Sequence, residues 1–145
     1  MKTKRLLSRE YAVQMMYHVS VGDASSDEAL HFFWFSHGED EKFVKDFAED
    51  LFHKAYRNMS YNDELVRKYL KKGWSYDRLG EVEKAVFRVA LAELFEGDAP
   101  VYAILDDYVS IASSYMDEKS ASLVNGILDK IKSEFDIDRD RVQRD

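Results

Sequence analysis

The sequence predicts an all-α protein, a compact bundle of about seven helices. Three observations carry that expectation. Apolar residues recur at spacings of three and four along most of the chain, the repeat of a helix with one buried face. Six Gly and one Pro in 145 residues leave too little punctuation for an all-β domain, which turns about every 8–12 residues. With 46% hydrophobic residues, 34% charged residues and no Cys, stability must come from a packed core, not from disulfides or Cys-type metal sites. A chain of this length buries roughly 68–70% of its unfolded surface, enough for one domain.

The elements follow in order. Tyr11, Ala12, Met15, Met16 and Val19 form the first amphipathic stripe, with Ser8 as expected N-cap and Gly22 as its end. A second helix is expected from Asp27 to Ser36, stopping at Gly38; its block Phe32-Phe33-Trp34-Phe35 is too apolar all round for a surface. The third uses Phe43, Val44, Phe47, Leu51, Phe52, Ala55 and Tyr56. Ser60, with Asp63 and Glu64 behind it, reads as the cap of a fourth through Leu65, Val66, Tyr69 and Leu70. Ser75 opens a stretch with two stripes, Leu79-Val82-Val86-Val89 and Phe87-Leu91-Leu94, so this helix is covered on both sides and forms the centre of the core. Gly97, Asp98 and Pro100 break the chain before a sixth helix carrying Ile104, Leu105, Tyr108, Val109, Ile111, Ala112 and Tyr115. The seventh carries Leu123, Val124, Ile127, Leu128, Ile131 and Phe135, and Gly126 inside it is expected to admit another helix closely. Residues 1–136 thus read as one domain, and 137–145 as a charged tail that frays.

Little in the chain points to catalysis. His18, His31, His37 and His53 form no i, i+4 pair for zinc, and neither a Gly-rich phosphate loop nor a nucleophile elbow occurs. Adjacent acids such as Asp106-Asp107 diverge by about 100° on a helix and cannot share a substrate. No enzyme, cofactor or metal is expected. The basic start lacks the apolar core of a signal peptide, and no run approaches 18 apolar residues, so a cytoplasmic protein without a membrane span is expected.

Charge is more informative. The net charge is −7, yet Lys2, Lys4, Arg5 and Arg9 place four cations and no acid in the first nine residues. An acidic body with a basic arm suggests a protein that meets an anion at one place; the bland alternative is a solvated chain end. Aromatic residues make up 14%, most of them expected in the core, with Tyr17 an exception able to meet a base.

The blocks Arg5-x-x-Ser8-Arg9-Glu10-x-Ala12-x-Gln14-x-Met16-Tyr17, Leu79-Gly80-x-Val82-Glu83-Lys84-x-x-x-Arg88, Ile104-x-Asp106-x-x-Val109 and Val124-Asn125-Gly126-Ile127-Leu128 recur in order and spacing. Together they resemble the NusB family of bacterial antitermination factors, over most of the chain and least from 23 to 60. The resemblance implies two packed helical sub-bundles, binding of single-stranded boxA RNA, and pairing with a small-subunit ribosomal protein, NusE, within the RNA polymerase antitermination complex. It implies RNA contacts from Lys2, Lys4, Arg5, Arg9 and Gln14, and from Lys119, Ser122 and Leu123 on the last helix. Tyr17, Val21, Asp77 and Glu83 match the positions that meet the protein partner. Family members commonly carry Lys-Phe where this chain has Ser122-Leu123, so one cation and one stacking face are missing. A protein-only adaptor or homodimer of the same fold is therefore the alternative. A third class, the RNA-binding module of a ribosomal RNA cytosine methyltransferase, requires a catalytic domain and a Cys absent from this sequence.

Overall fold

Seven α-helices and one 3-10 turn build the computed structural model, which describes residues 2–138. The helices are α1 (Lys4–Gly22), α2 (Ser26–His37), α3 (Lys42–Arg57), α4 (Met59–Tyr69), α5 (Glu81–Glu96), α6 (Val101–Tyr115) and α7 (Glu118–Glu134). The 3-10 turn, Tyr76–Arg78, lies between α4 and α5, and no strand occurs among the described residues.

The two stripes on α5 have the expected result. Every residue from Ala85 to Leu94 except Arg88 is buried, and α5 packs against α1, α3, α4, α6 and α7. The helices α1, α2 and α3 pack on one another at one side, and α6 and α7 pack together at the other. The central helix joins the two groups. The core runs through both, from Ala12, Met15 and Met16 in α1 to Ile104, Leu128 and Ile131 in α6 and α7.

Helix ends differ from the sequence expectation in four places, each for a local reason. Thr3 is the cap of α1, its Oγ1 accepting the Leu6 N–H at 3.0 Å. Ser8 lies inside the protein instead, donating to the carbonyls of Lys4 (2.8 Å) and Val44 (3.2 Å), and so ties α1 to α3. Gly22 is the last residue of α1, and the left-handed turn falls on Asp23 with φ 50°. A single residue, Asn58, separates α3 from α4, which starts one position before Ser60. Ser75 precedes only the 3-10 turn, and the helix proper begins at Glu81.

The aromatic block of α2 is a correction. Phe33 is buried and Trp34 half-buried, its Nε1 donating to Glu49 Oε2 at 2.6 Å, but Phe32 is 53% and Phe35 82% exposed. This helix packs on α1 and α3, which cover one face, and the other two Phe face water. Near the end of the described chain, Asp136 takes φ 53°, and the Ile137 N–H donates to the Lys132 carbonyl at 3.0 Å. Ile137 packs half-buried against the core, so order extends past the expected boundary. The remaining tail positions, 139–145, lie outside the described residues.

Candidate nucleic-acid interface

With Thr3 as cap, α1 begins at Lys4, and the basic arm becomes its first turn. Lys2, Lys4 and Arg5 are exposed. Lys2 Nζ meets Glu10 Oε1 at 2.6 Å, a bond that raises the lysine pKa, and Lys4 Nζ meets Glu41 at 3.0 Å. The Arg5 guanidinium lies 5.1 Å from the Phe47 ring centroid. The Lys4–Glu41 pair is exposed on both sides and so contributes little, whereas the Glu10 carboxylate that holds Lys2 is itself buried.

Gln14 sits one helical turn beyond Glu10 and is part of the same network. Its Nε2 donates to the Tyr115 hydroxyl at 2.7 Å, and that hydroxyl donates to Glu10 Oε2 at 3.0 Å. Burial raises the Tyr115 pKa, so the group remains a neutral phenol. Tyr115 ends α6 and brings that helix to the arm; its spacing reads as part of the apolar stripe of α6, yet it is 45% exposed.

Arg9 leaves the candidate set. It is 2% exposed, and its guanidinium is held inside the protein by two carboxylates. Nε and Nη2 donate to the two carboxylate oxygens of Glu93 at 2.8 and 2.6 Å, and Nη1 donates to Asp107 at 2.7 Å. The Tyr108 hydroxyl donates to Glu93 at 2.7 Å. Burial opposes the arginine charge, but the Glu93 and Asp107 bonds outweigh it and raise its pKa above the ordinary value. Burial also lifts the Tyr108 pKa, with the Glu93 charge behind it. A guanidinium so buried and paired is out of reach of a phosphate.

The second cluster lies on α7. Lys119 and Ser122 are exposed and line, with Leu123, a groove of about 480 Å³. Leu123 is 9% exposed, so it is a core residue that reaches the groove floor and not a free face. The groove's far wall is Trp74, whose ring centroid is 5.2 Å from Lys119 Nζ. Sequence reasoning missed Trp74, because it stands in a turn where no periodicity assigns it a direction. Gly126 also differs from expectation: a Cβ there would meet nothing within 4 Å, so no neighbouring helix requires it.

The candidate partner positions are partly gathered. Tyr17 and Val82 line one cleft with Gln14 and Tyr115, and Glu83 follows Val82 in the first turn of α5. Glu83 Oε1 accepts the Gly80 N–H at 3.0 Å, while its Oε2 is buried with no hydrogen-bond partner. Val21 is 56% exposed on the last turn of α1. Asp77 is instead tied to Arg67 of α4 at 3.5 Å.

Comparison with known proteins decides the family. The NusB family model matches residues 6–133. The chain belongs to the NusB family. It is 33% identical over 133 residues to the NusB antitermination protein of Anaeromyxobacter dehalogenans, covering 92% of this chain and 93% of that one. Against the Bacillus subtilis NusB protein it is 31% identical over 134 residues, covering 92% and 98%. Among solved structures, a complex of antitermination factors NusB and NusE with dsRNA superposes with a TM-score of 0.83 at 27% identity, covering 92% of this chain and 99% of that chain. T. maritima NusB gives a TM-score of 0.78 at 34% identity, covering 92% and 94%.

The NusB match begins at residue 6, so Lys2, Lys4 and Arg5 lie outside it and their reading rests on charge and exposure. No group of three or more metal-ligating side chains is assembled among the described residues, and no helix there is long and apolar enough to cross a membrane.

Proposed function

We propose that this NusB-family chain binds boxA-type single-stranded RNA together with ribosomal protein NusE, acting without catalysis in the cytoplasmic RNA polymerase antitermination complex. The observation that carries this reading is the exposed basic start of α1, joined through Glu10, Tyr115 and Gln14 to α6 on an otherwise acidic protein. The related complex of NusB and NusE with dsRNA supports both partners. In this reading Lys2, Lys4 and Arg5 meet phosphates, Gln14 a base or sugar edge, and Lys119 and Ser122 the strand where it passes α7. Tyr17, Val21 and Glu83 meet NusE, whose basic character an acidic surface would steer.

A titration of labelled boxA RNA, with and without NusE and over a range of salt, tests the proposal. Neutralising three to five phosphates gives a slope of log K against log salt of about −2 to −3.5 for a single strand. Arg5→Ala should weaken binding to all RNA sequences alike, since phosphate contacts position and do not specify. A salt-independent affinity would refute it. The buried Leu123 at the site of the family's stacking residue favours one second reading, a protein-only adaptor or homodimer, which predicts NusE binding or self-association without RNA.

A further inference from the structure

The groove between α7 and the turn after α4 holds the features of a nucleotide site, independently of the basic arm. Gly73 makes the turn: its φ of 96° is open to glycine and strained for other residues, and the Trp74 N–H closes it by donating to the Lys71 carbonyl at 3.0 Å. That reversal sets the half-buried Trp74 ring as one wall. Opposite it, α7 presents Lys119, Ser122, Gly126 and Lys130, spaced 3, 4 and 4 residues apart and so on one face. Lys71 joins Lys119 and Lys130 at the rim, and Asp129 is the one acid in the lining, 3.2 Å from Lys132. On a protein of net charge −7 this is a local excess of cations.

Gly126 is the second, separate observation. It is exposed in the middle of a 17-residue helix, where glycine weakens the helix, and a Cβ there would touch nothing. The loss of helix stability brings no packing gain within the chain. It leaves the α7 backbone bare in a groove that Trp74 and three lysines also line. A flat ring face, a bare backbone and flanking cations suit an unstacked base with its two phosphates, the form that single-stranded RNA presents and a duplex does not.

We infer that this groove takes one base of the bound RNA, with Trp74 supplying the stacking face that Leu123 does not. The inference rests on the proposed RNA-binding function. The base lies on the Trp74 ring in place of the Lys119 ammonium, which moves to an adjacent phosphate together with Lys71 or Lys130. Gly126 gives the ribose room against the helix.

The full-length protein carries two tryptophans, so a Trp34→Phe background leaves Trp74 as the sole indole reporter. Titration with a boxA-type RNA oligomer should quench Trp74 emission. Trp74→Leu should weaken binding about 5- to 150-fold with the salt slope unchanged, because stacking releases no counterions, and Trp74→Phe should restore much of the loss. Lys130→Gln should weaken binding and flatten the slope by about 0.7. Gly126→Ala is the sharpest variant: the melting temperature should rise by about 2–4 °C while RNA affinity falls at least fivefold. A Gly126→Ala protein that is more stable and binds RNA as wild type does, or a Trp74 emission indifferent to saturating RNA, overturns the groove assignment. If wild type binds the oligomer with the expected salt slope, that failure belongs to the groove alone. If wild type binds no RNA at low salt, the proposed function fails and this inference with it.

Discussion

Arg5 and Arg9 are one helical turn apart, and that turn gives them opposite surroundings. Arg5 faces water beside Phe47, while Arg9 is inside, held by Glu93 and Asp107. The phase was legible: Arg9 precedes Ala12 by three and Met16 by seven, so it shares their buried stripe. Its partners were not, because they stand 84 and 98 residues away in sequence and no local pattern pairs them. Arg9→Ala should therefore act on stability and not specifically on RNA. Leaving the Glu93 carboxylate buried without its guanidinium costs on the order of 3–5 kcal/mol. In urea unfolding, Arg9→Met combined with Glu93→Leu should lose less than the sum of the two single changes, since the double variant leaves no lone buried charge. Additive losses would show that the pair is not coupled as drawn.

At the level of elements, all seven helices and the central place of α5 could be read from periodicity. The turns could not be read so well. Ser8, Ser60 and Ser75 were expected as caps because serine suits the role, yet Thr3, Asn58 and Gly80 stand at those positions, set by where tertiary packing ends each helix. The Phe32 to Phe35 block failed for a related reason: an apolar run states how much surface wants cover, and neighbours decide how much is covered. The start of α7 offers a quantitative check. Asp117 caps it, Oδ1 accepting the Ser120 N–H at 2.8 Å, and this backbone bond lowers the Asp117 pKa. A carboxyl whose folded pKa is lowered contributes stability above its unfolded pKa and loses it as pH falls through the folded value. Asp117→Ala should thus melt below wild type at pH 7, and the gap should narrow from about pH 4 downward. A gap independent of pH would mean that the charged cap contributes nothing.

Across the whole molecule two clusters of exposed cations stand out on an acidic protein, one at the start of α1 and one around the Trp74 groove, while Lys42 and Arg57, exposed elsewhere, are paired with nearby acids. Composition and the family resemblance made the basic arm visible in the sequence. The groove was not visible, because it requires a turn, a half-buried indole and a bare helix face to meet from positions about 50 residues apart. The surface proposed to face NusE has its own test at Val21. Val21→Asp adds a negative charge to the surface proposed to meet basic NusE, so electrostatics alone would strengthen the complex. A loss of NusE affinity, expected at about 1 kcal/mol or more, would report an apolar contact at the end of α1, with the melting temperature unchanged because Val21 is exposed. Unchanged or tighter binding would remove Val21 from the interface. The central position of α5 has a further consequence for how this protein is made. During translation α1, α2 and α3 leave the ribosome first, but the helix that they share with the other group, and the carboxylates that neutralise Arg9, follow only with residues 81–107. The nascent N-terminal half must wait with its guanidinium uncompensated and its apolar faces open. The N-terminal group therefore cannot close its core before α5 has emerged, nor can Arg9 find both its carboxylates before α6 has followed.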